Sequence, residues 1–446
     1  MAIFMGIDIG TTHIKAMACT DEGRYSRESA ATPWTVRNGH RVLHPMALAD
    51  EVLNMITKCL DLLDTSDKVR SIAITSMGEA GLYVANGEVQ TDISAWQDLS
   101  QTKMAYQEFL QGGNPREVYT RTGITPGPKF GLFRMRQDNH QEDACWLSVA
   151  DFIVWRLTGG ECVTHASLAA RTMAYDWKKT TWDVELLQWS GLTLENVPQI
   201  KMDLSGVGPV INTHDDRLMG AEVVNAGHDH IVAAFGADLK HGEILDSTGT
   251  AEPLLVRSDI PILSEETYAL RMMWGPGLFD DGSYVGLIPT PGGGAVETWA
   301  RRLLRLSWPA VEQIGINRDT VVRFDIEKWQ DGDAVWRGLS DGADALDLYW
   351  AVLEAAAQSV AKRIDSAENF MRGHFSSLKV VGGVVKHEPW IAIRSEALKR
   401  AQILSNPADG ALVGTIRAAA IADGVTMPLD VEWNVYPYRT QTDLIG

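Results

Sequence analysis

Two stretches of the chain join a carboxylate to a turn of glycine and threonine. In "GIDIGTTHIKA" (6–16), Asp8 stands on an apolar strand and Gly10, Thr11 and Thr12 make the turn that follows. In "EILDSTGTAEPLL" (243–255), Asp246 precedes Ser247, Thr248, Gly249 and Thr250. A turn of small, hydroxylated residues can aim several backbone N–H groups at one anion, while a nearby carboxylate holds a cation. Each turn alone also reads as an ordinary hairpin. A third stretch, "GHDHI" (227–231), sets Asp229 after a glycine and before an apolar helical run. That carboxylate can sit at the helix N-terminus, where the macrodipole keeps it ionised and oriented. His228 and His230 flank it; without a third ligand nearby they make a poor metal site, but either imidazole can hydrogen-bond a hydroxyl.

Two further glycine elements carry the same kind of signal. "IPTPGGGAVETWARRLL" (288–304) opens a helix on a triplet that includes Gly293 and Gly294. It reads either as a flexible loop or as backbone approaching a flat ligand with a helix N-terminus behind it. "VVGGVVKHEPW" (380–390) places Gly382 and Gly383 directly after an apolar strand, where a side chain would block a ligand from the sheet edge.

The elements that must position these residues follow from periodicity. The opening motif reads as two short strands joined by a tight turn. Residues 48–64 put Val52, Ile56, Leu60 and Leu63 on one helical face, and 69–81 read as a buried strand ending in a loop. Residues 144–160 read as a helix closed by glycines. Near residue 237 the pattern restarts, with a strand–Asp–turn–strand unit like the first. A long helix is expected over 344–371, a strand over 378–385, and helices over 389–401 and 409–423. The tail after 428 carries no clear signal.

At 446 residues the chain calls for two domains with a cleft between them, and 45% hydrophobic with 22% charged residues fits a globular protein. A net charge of −18 argues against nucleic acid or an anionic membrane as partner. Any polyphosphate must then be held by local geometry and a metal ion. The four cysteines, Cys19, Cys59, Cys145 and Cys162, lie far apart in sequence and read as reduced thiols of a cytoplasmic protein. No apolar run is long enough to span a bilayer, and the N-terminus has no export pattern.

The order of these motifs resembles the FGGY carbohydrate kinase family over essentially the whole chain. "VVNAGHDHIVAAFGA" (223–237) resembles the segment before the domain crossover. The two Asp–turn motifs resemble the two phosphate motifs, and residues 380–400 with 408–424 resemble the adenosine motif. "ISAWQDLS" (93–100), "DFIVWRLTGG" (151–160) and "THASLAARTMAYDW" (164–177) also fit. The resemblance implies an α/β fold of two actin-like, ribonuclease-H-like domains around a central cleft, an N-terminal domain over 1–236 and a C-terminal domain over 237–446. It implies phosphoryl transfer from Mg·ATP to a hydroxyl of a small sugar or polyol, a ketopentose, deoxyhexose or polyol among the choices. A homodimer is compatible with it.

Under that resemblance Asp229 is the general base. Gly10, Thr11, Thr12 and Lys15 from one side, and Thr248, Gly249 and Thr250 with Gly293, Gly294, Gly382 and Gly383 from the other, hold the nucleotide. Asp8 and Asp246 hold the Mg2+ ion. Glu79, Trp96, Asp98, His228 and Asp229 bind the acceptor, the tryptophan ring against C–H groups and the acids accepting O–H donors. Two positions depart from the family's pattern: the arginine expected before Glu79 is Gly78, and the arginine expected after Asp98 is Ser100. These losses keep two alternatives in play, a sugar-binding regulator without kinase activity and an actin-like nucleotide-binding module.

Overall fold

The computed structural model describes residues 2–438 except 313, 315–317, 319, 407–408 and 427–430. The part of the tail beyond 438 thus lies outside the described residues. The chain forms two compact units. The first comprises Met1–Gly236, Ser258–Gly286 and Ala411–Asp430, and the second Ala237–Arg257, Leu287–Gly410 and Val431–Gly446.

The sheet of the first unit is built from β1 (Ile3–Ile9), β2 (His13–Thr20), β3 (Tyr25–Ala31), β4 (Val69–Ser76), β5 (Gly208–Pro209) and β6 (Glu222–His228), in the spatial order β5-β6-β4-β1-β2-β3. β1 and β2 are antiparallel with Ile9 opposite Ile14, while β1–β4 and β4–β6 are parallel. Every residue of β1 is buried, as expected of a strand covered on both faces. On this sheet lies α1 (Pro45–Leu62), whose Leu48, Val52, Ile56 and Leu60 are buried in one stripe. Each such side chain contributes about 1.5–3 kcal/mol.

A helix from far along the chain, Gly410–Ala422, also packs against this unit. A Cβ at Gly6 of β1 would lie 3.1 Å from Ile416 Cγ1, and Ser71 Oγ of β4 donates to Ala419 O at 2.6 Å. A side chain at residue 6 would push that helix outward by a few tenths of an ångström.

The second unit repeats the plan. Its strands are β7 (Glu243–Thr248), β8 (Pro253–Ser258), β9 (Tyr284–Pro289), β10 (Ser377–Gly382), β11 (Gln402–Asn406) and β12 (Glu432–Tyr436), in the order β9-β8-β7-β10-β11-β12. β7 and β8 are antiparallel, β7 runs parallel to β10, and Thr248 stands opposite Gly382. The long helix Ala345–Met371 begins at a capping box between Asp344 and Asp347 and stops at Arg372, whose φ is 55°.

Three local expectations differ from the structure, and in one of them the strand expected over 378–385 ends at Gly382 and a short 3-10 helix, Gly383–Lys386, follows. Residues 145–148 form a strand paired with Gly81–Ala85, and the helix starts only at Val149. The apolar run cannot distinguish the two, but Ser148 and Asp151 form a capping box that fixes the boundary. In the tail, Glu432–Tyr436 adds an antiparallel strand to β11. Among the described residues no helix is long and apolar enough to cross a membrane.

Candidate active site

The first turn is held from several sides. Gly10 N donates to His13 O at 3.0 Å, and Thr32 Oγ1 donates to Gly10 O at 2.8 Å. Trp34 Nε1 donates to Thr11 O at 2.7 Å, and Trp96 Nε1 donates to Thr11 Oγ1 at 2.9 Å. The half-buried Trp96 therefore spends its polar edge on the turn and leaves its ring for other contacts. Asp8 and Lys15 face each other across β1 and β2, with Lys15 Nζ 3.2 Å from Asp8 Oδ2. Thr12 at the tip is exposed.

Asp229 is the first residue of the helix Asp229–Gly236, which follows β6 directly. β6 bulges against β4 between Asn225 and Gly227, which re-aims the strand end. Gly227 has φ 93°, and a Cβ there would lie 2.8 Å from His165 Nδ1. Both conditions require glycine. Around the bulge, Asn225 Nδ2 donates to Asp151 Oδ1 at 2.6 Å, Thr75 Oγ1 donates to Gly227 O at 2.6 Å, and His228 N donates to Ser167 Oγ at 3.0 Å.

The Asp229 carboxylate itself accepts from His230 N at 2.7 Å and lies 3.2 Å from His228 Nε2, both on Oδ1. Burial, and then the charge of Glu79, push it up to about 7, while the His230 N–H, Arg171 and Lys15 pull the other way. Its side chain is still 21% exposed, so the group is desolvated without being sealed. Burial above all, then the charge of Arg171, keeps His228 neutral, and His230 is lowered to about 4, chiefly by burial. His228 thus stands beside the Asp229 carboxylate as a neutral imidazole.

Glu79 sits in the loop after β4, buried, and its Oε1 meets two cations. Arg171 Nη2 forms an ion pair with it, and Lys129 Nζ is 3.3 Å away. Burial pushes the Glu79 carboxyl up, but Arg171 and Lys129 outweigh it and hold it well below the usual carboxylate range. Lys129 lies 5.7 Å from the Trp96 ring centre and 5.3 Å from that of Phe130. Neither cation was singled out in the sequence. The signal for Arg171 was there in Gly78: a Cβ at that position would fall 2.7 Å from both Arg171 Cβ and His228 Cδ2.

In the second unit the glycine elements meet at one turn. Gly294 N donates to Gly249 O at 2.9 Å and Ala295 N to Thr250 O at 3.1 Å, so the helix Gly294–Leu303 begins on the turn. Gly293 has φ 89° and its Cα faces Glu252 and Ala251, while Gly382 abuts Thr248. Gly383 is exposed beside it.

Two expected site residues are engaged by other side chains of the protein. Asp246 is fully buried and ion-paired with the equally buried Arg394, which also pairs with Glu252. Thr248 Oγ1 donates to Asp246 Oδ1 at 2.7 Å. This carboxylate is thus the counter-ion of a buried arginine. Asp98 is not joined to the Glu79–Asp229 cluster either. It accepts from Ser100 N at 3.1 Å and from Ser100 Oγ, and pairs with His40 Nδ1 at 3.0 Å. Its acceptor capacity goes to its own loop.

The model for the FGGY family of carbohydrate kinases, N-terminal domain, matches residues 3–236, and that for the C-terminal domain matches residues 328–422. The L-fuculokinase of Salmonella typhi is 26% identical over 425 residues, 89% of this chain and 87% of that protein. The apulose kinase of Pectobacterium atrosepticum is 24% identical over 449 residues, 92% and 88% of the two chains. Among solved structures, Plasmodium falciparum glycerol kinase with ADP has a TM-score of 0.84 at 19% identity, covering 95% of this chain and 90% of that one. A ligand-bound xylulose kinase from Lactobacillus acidophilus has a TM-score of 0.84 at 18% identity, covering 100% and 95%. The fold is thus the actin-like α/β fold of these kinases.

Proposed function

The chain belongs to the FGGY family of carbohydrate kinases and is a sugar or polyol kinase with ATP as co-substrate; we propose that Asp229 is its general base and that Glu79 receives a hydroxyl of an uncharged acceptor. The observation that supports this reading is the state of Asp229. Its carboxylate is raised to about 7 yet partly open, and its hydrogen bond from His230 N and its contact with His228 Nε2 both fall on Oδ1. Oδ2 is then the oxygen to take a proton at neutral pH.

In this reading an acceptor hydroxyl gives its proton to Asp229 as its oxygen bonds to the γ-phosphorus and the bond to the β-phosphate oxygen breaks, releasing ADP. The transition state is loose, so positioning and charge do most of the work. His228 holds the base in orientation through Oδ1. Trp96 places a ring face beside the acceptor and ties Thr11 with its N–H. The amides and hydroxyls of Thr11 and Thr12 are the phosphate-binding groups of the first unit in this reading, and the turn Thr248–Thr250 is the corresponding turn of the second.

Among the described residues no group of three or more His, Cys, Asp and Glu side chains could hold a metal ion. A single carboxylate, Asp8, beside threonine hydroxyls is the kind of donor set that suits Mg2+ brought in on phosphate oxygens and water. Bound there, Mg2+ would offset charge on the phosphate oxygens. The acceptor classes we propose are ketopentoses, deoxyhexoses and polyols. An ADP-release assay over pentuloses, hexuloses, polyols and sugar acids tests this, with Asp229→Ala as the blank. Turnover by that variant within a few-fold of wild type would remove Asp229 from its role.

A further inference from the structure

The charge cluster beside Asp229 contains a residue with no assigned part, Arg171. It closes the short helix Ala166–Arg171, and its side chain is only 4% exposed. Besides the ion pair to Glu79, its Nη2 lies 3.3 Å from Met273 Sδ, and the guanidinium stands 5.4 Å from the Phe130 ring centre. Its Nε is buried and makes no hydrogen bond among the described residues. A buried cation with one donor unspent is costly, and stability alone is a poor reason to keep it. The space it occupies belongs by position to residue 78, which is glycine. A Cβ at residue 78 would lie 2.7 Å from both Arg171 Cβ and His228 Cδ2. One side chain therefore touches the acid meant for the acceptor and packs beside the histidine that holds the base.

We propose that Arg171 is the positioning residue that sets acceptor selectivity in this chain: entering over Gly78, it fixes the Glu79 carboxylate by Oε1 so that Oε2 meets one hydroxyl of the acceptor. Lys129 shares Oε1 and closes the pair from the more open side, its side chain being 31% exposed. A carboxylate held this way only accepts hydrogen bonds. It takes an O–H donor and is left unpaired by an acceptor that carries hydrogen, a carbonyl or a carboxylate at that place. Sites of this kind reject the analogue lacking the hydroxyl far more strongly than an apolar pocket rejects a missing methylene. The selected class is thus a neutral polyhydroxy compound with one indispensable hydroxyl besides the one phosphorylated. Because Arg171 acts through Glu79 and His228, its loss is felt in acceptor choice and in the pH profile more than in nucleotide affinity.

This inference rests on the kinase reading of Glu79 and Asp229 above, and its test is read separately from that reading. The best acceptor from the ADP-release panel is compared with its mono-deoxy analogues in wild type, R171M, R171K and G78A. In wild type one deoxy analogue should lose ~10²-fold or more in kcat/KM. In R171M that ratio should collapse below about tenfold, mostly through KM for the parent acceptor, with ATP affinity unchanged. The acidic limb of its kcat/KM profile should move up by about one pH unit, because a positive neighbour of Asp229 is gone. R171K keeps the charge without the fork, so the limb should stay near the wild-type position while the ratio recovers only in part. G78A should mimic R171M by crowding Arg171 out. An unchanged deoxy ratio in folded R171M or G78A overturns the proposal. If those two are recovered only as aggregates, a wild-type ratio in R171K overturns it. Full turnover in Asp229→Ala would sink the base assignment while leaving the ratio test standing.

Discussion

Each unit carries a cluster of acids and an arginine close to its Asp–turn motif, and the two clusters differ in what water can reach. In the first unit Asp229 and Lys129 remain partly open, and Asp8 pairs with a Lys15 side chain that is 34% exposed. In the second, Asp246, Glu252 and Arg394 are sealed, with the two ionic side chains of the Asp246–Arg394 pair at 0% exposure. Burial pushes Glu252 up to about 8, and Arg394 stands between it and Asp246 as their shared cation. The same strand–Asp–turn pattern therefore supports a poised charge in one place and an internal brace in the other. The turn sequence alone does not decide between them; the residues that pack behind the acid do.

This contrast can be broken by exchanging losses between the two clusters. The largest effect is expected for Asp229→Ala, which should cut turnover by ~10²–10⁴ and leave ATP binding and the melting temperature nearly unchanged. If the variant also unfolds, the first cluster is structural as well. Next comes Arg394→Met, which leaves two carboxylates buried without their cation. It should destabilise the second unit by ~3–5 kcal/mol in denaturant melts. Wild-type stability in that variant would erase the difference drawn here. Asp8→Asn should be milder, lowering turnover by ~10–100-fold with a raised Mg2+ requirement, on the scale of one lost charge contact. Asp246→Asn, by contrast, should show in stability before activity.

The smallest effects come from pH. The acidic limb of kcat/KM should lie near 7, since the base works only when ionised. The sign for stability is opposite. Asp229 binds its proton more tightly when folded, at about 7, than at its ordinary value of 3.8. Its contribution to stability therefore falls as pH rises from about 4 to about 7 and is level above that. Asp229→Asn should remove that slope and melt slightly higher than wild type at pH 8.

The plan of the fold was legible in the sequence because it is local. The hairpin Ile3–Thr20, the helix with Val52, Ile56 and Leu60 on one face, and the restart near residue 237 all show in short-range periodicity. The glycines that meet around Gly249 were also visible, since each stands at a strand end or helix start. Arg171 and Lys129 were not, because each reaches Glu79 across a long loop of chain, 92 residues in the case of Arg171. Gly78 was noticed as a missing arginine, whereas its physical meaning is room for another one. The pairing of Asp246 with Arg394 was not legible either, because Arg394 is supplied by a helix that spacing cannot bring to it.

The close fit of Ile416 over Gly6 has a consequence for biosynthesis. β1 emerges from the ribosome hundreds of residues ahead of the helix that covers one of its faces. Until that helix is made, a largely apolar strand must be shielded by chaperones or by transient self-contact. Shortening the gene before codon 410 would accordingly expose the oldest part of the molecule, and aggregation of such fragments would originate in residues that the deletion never touched.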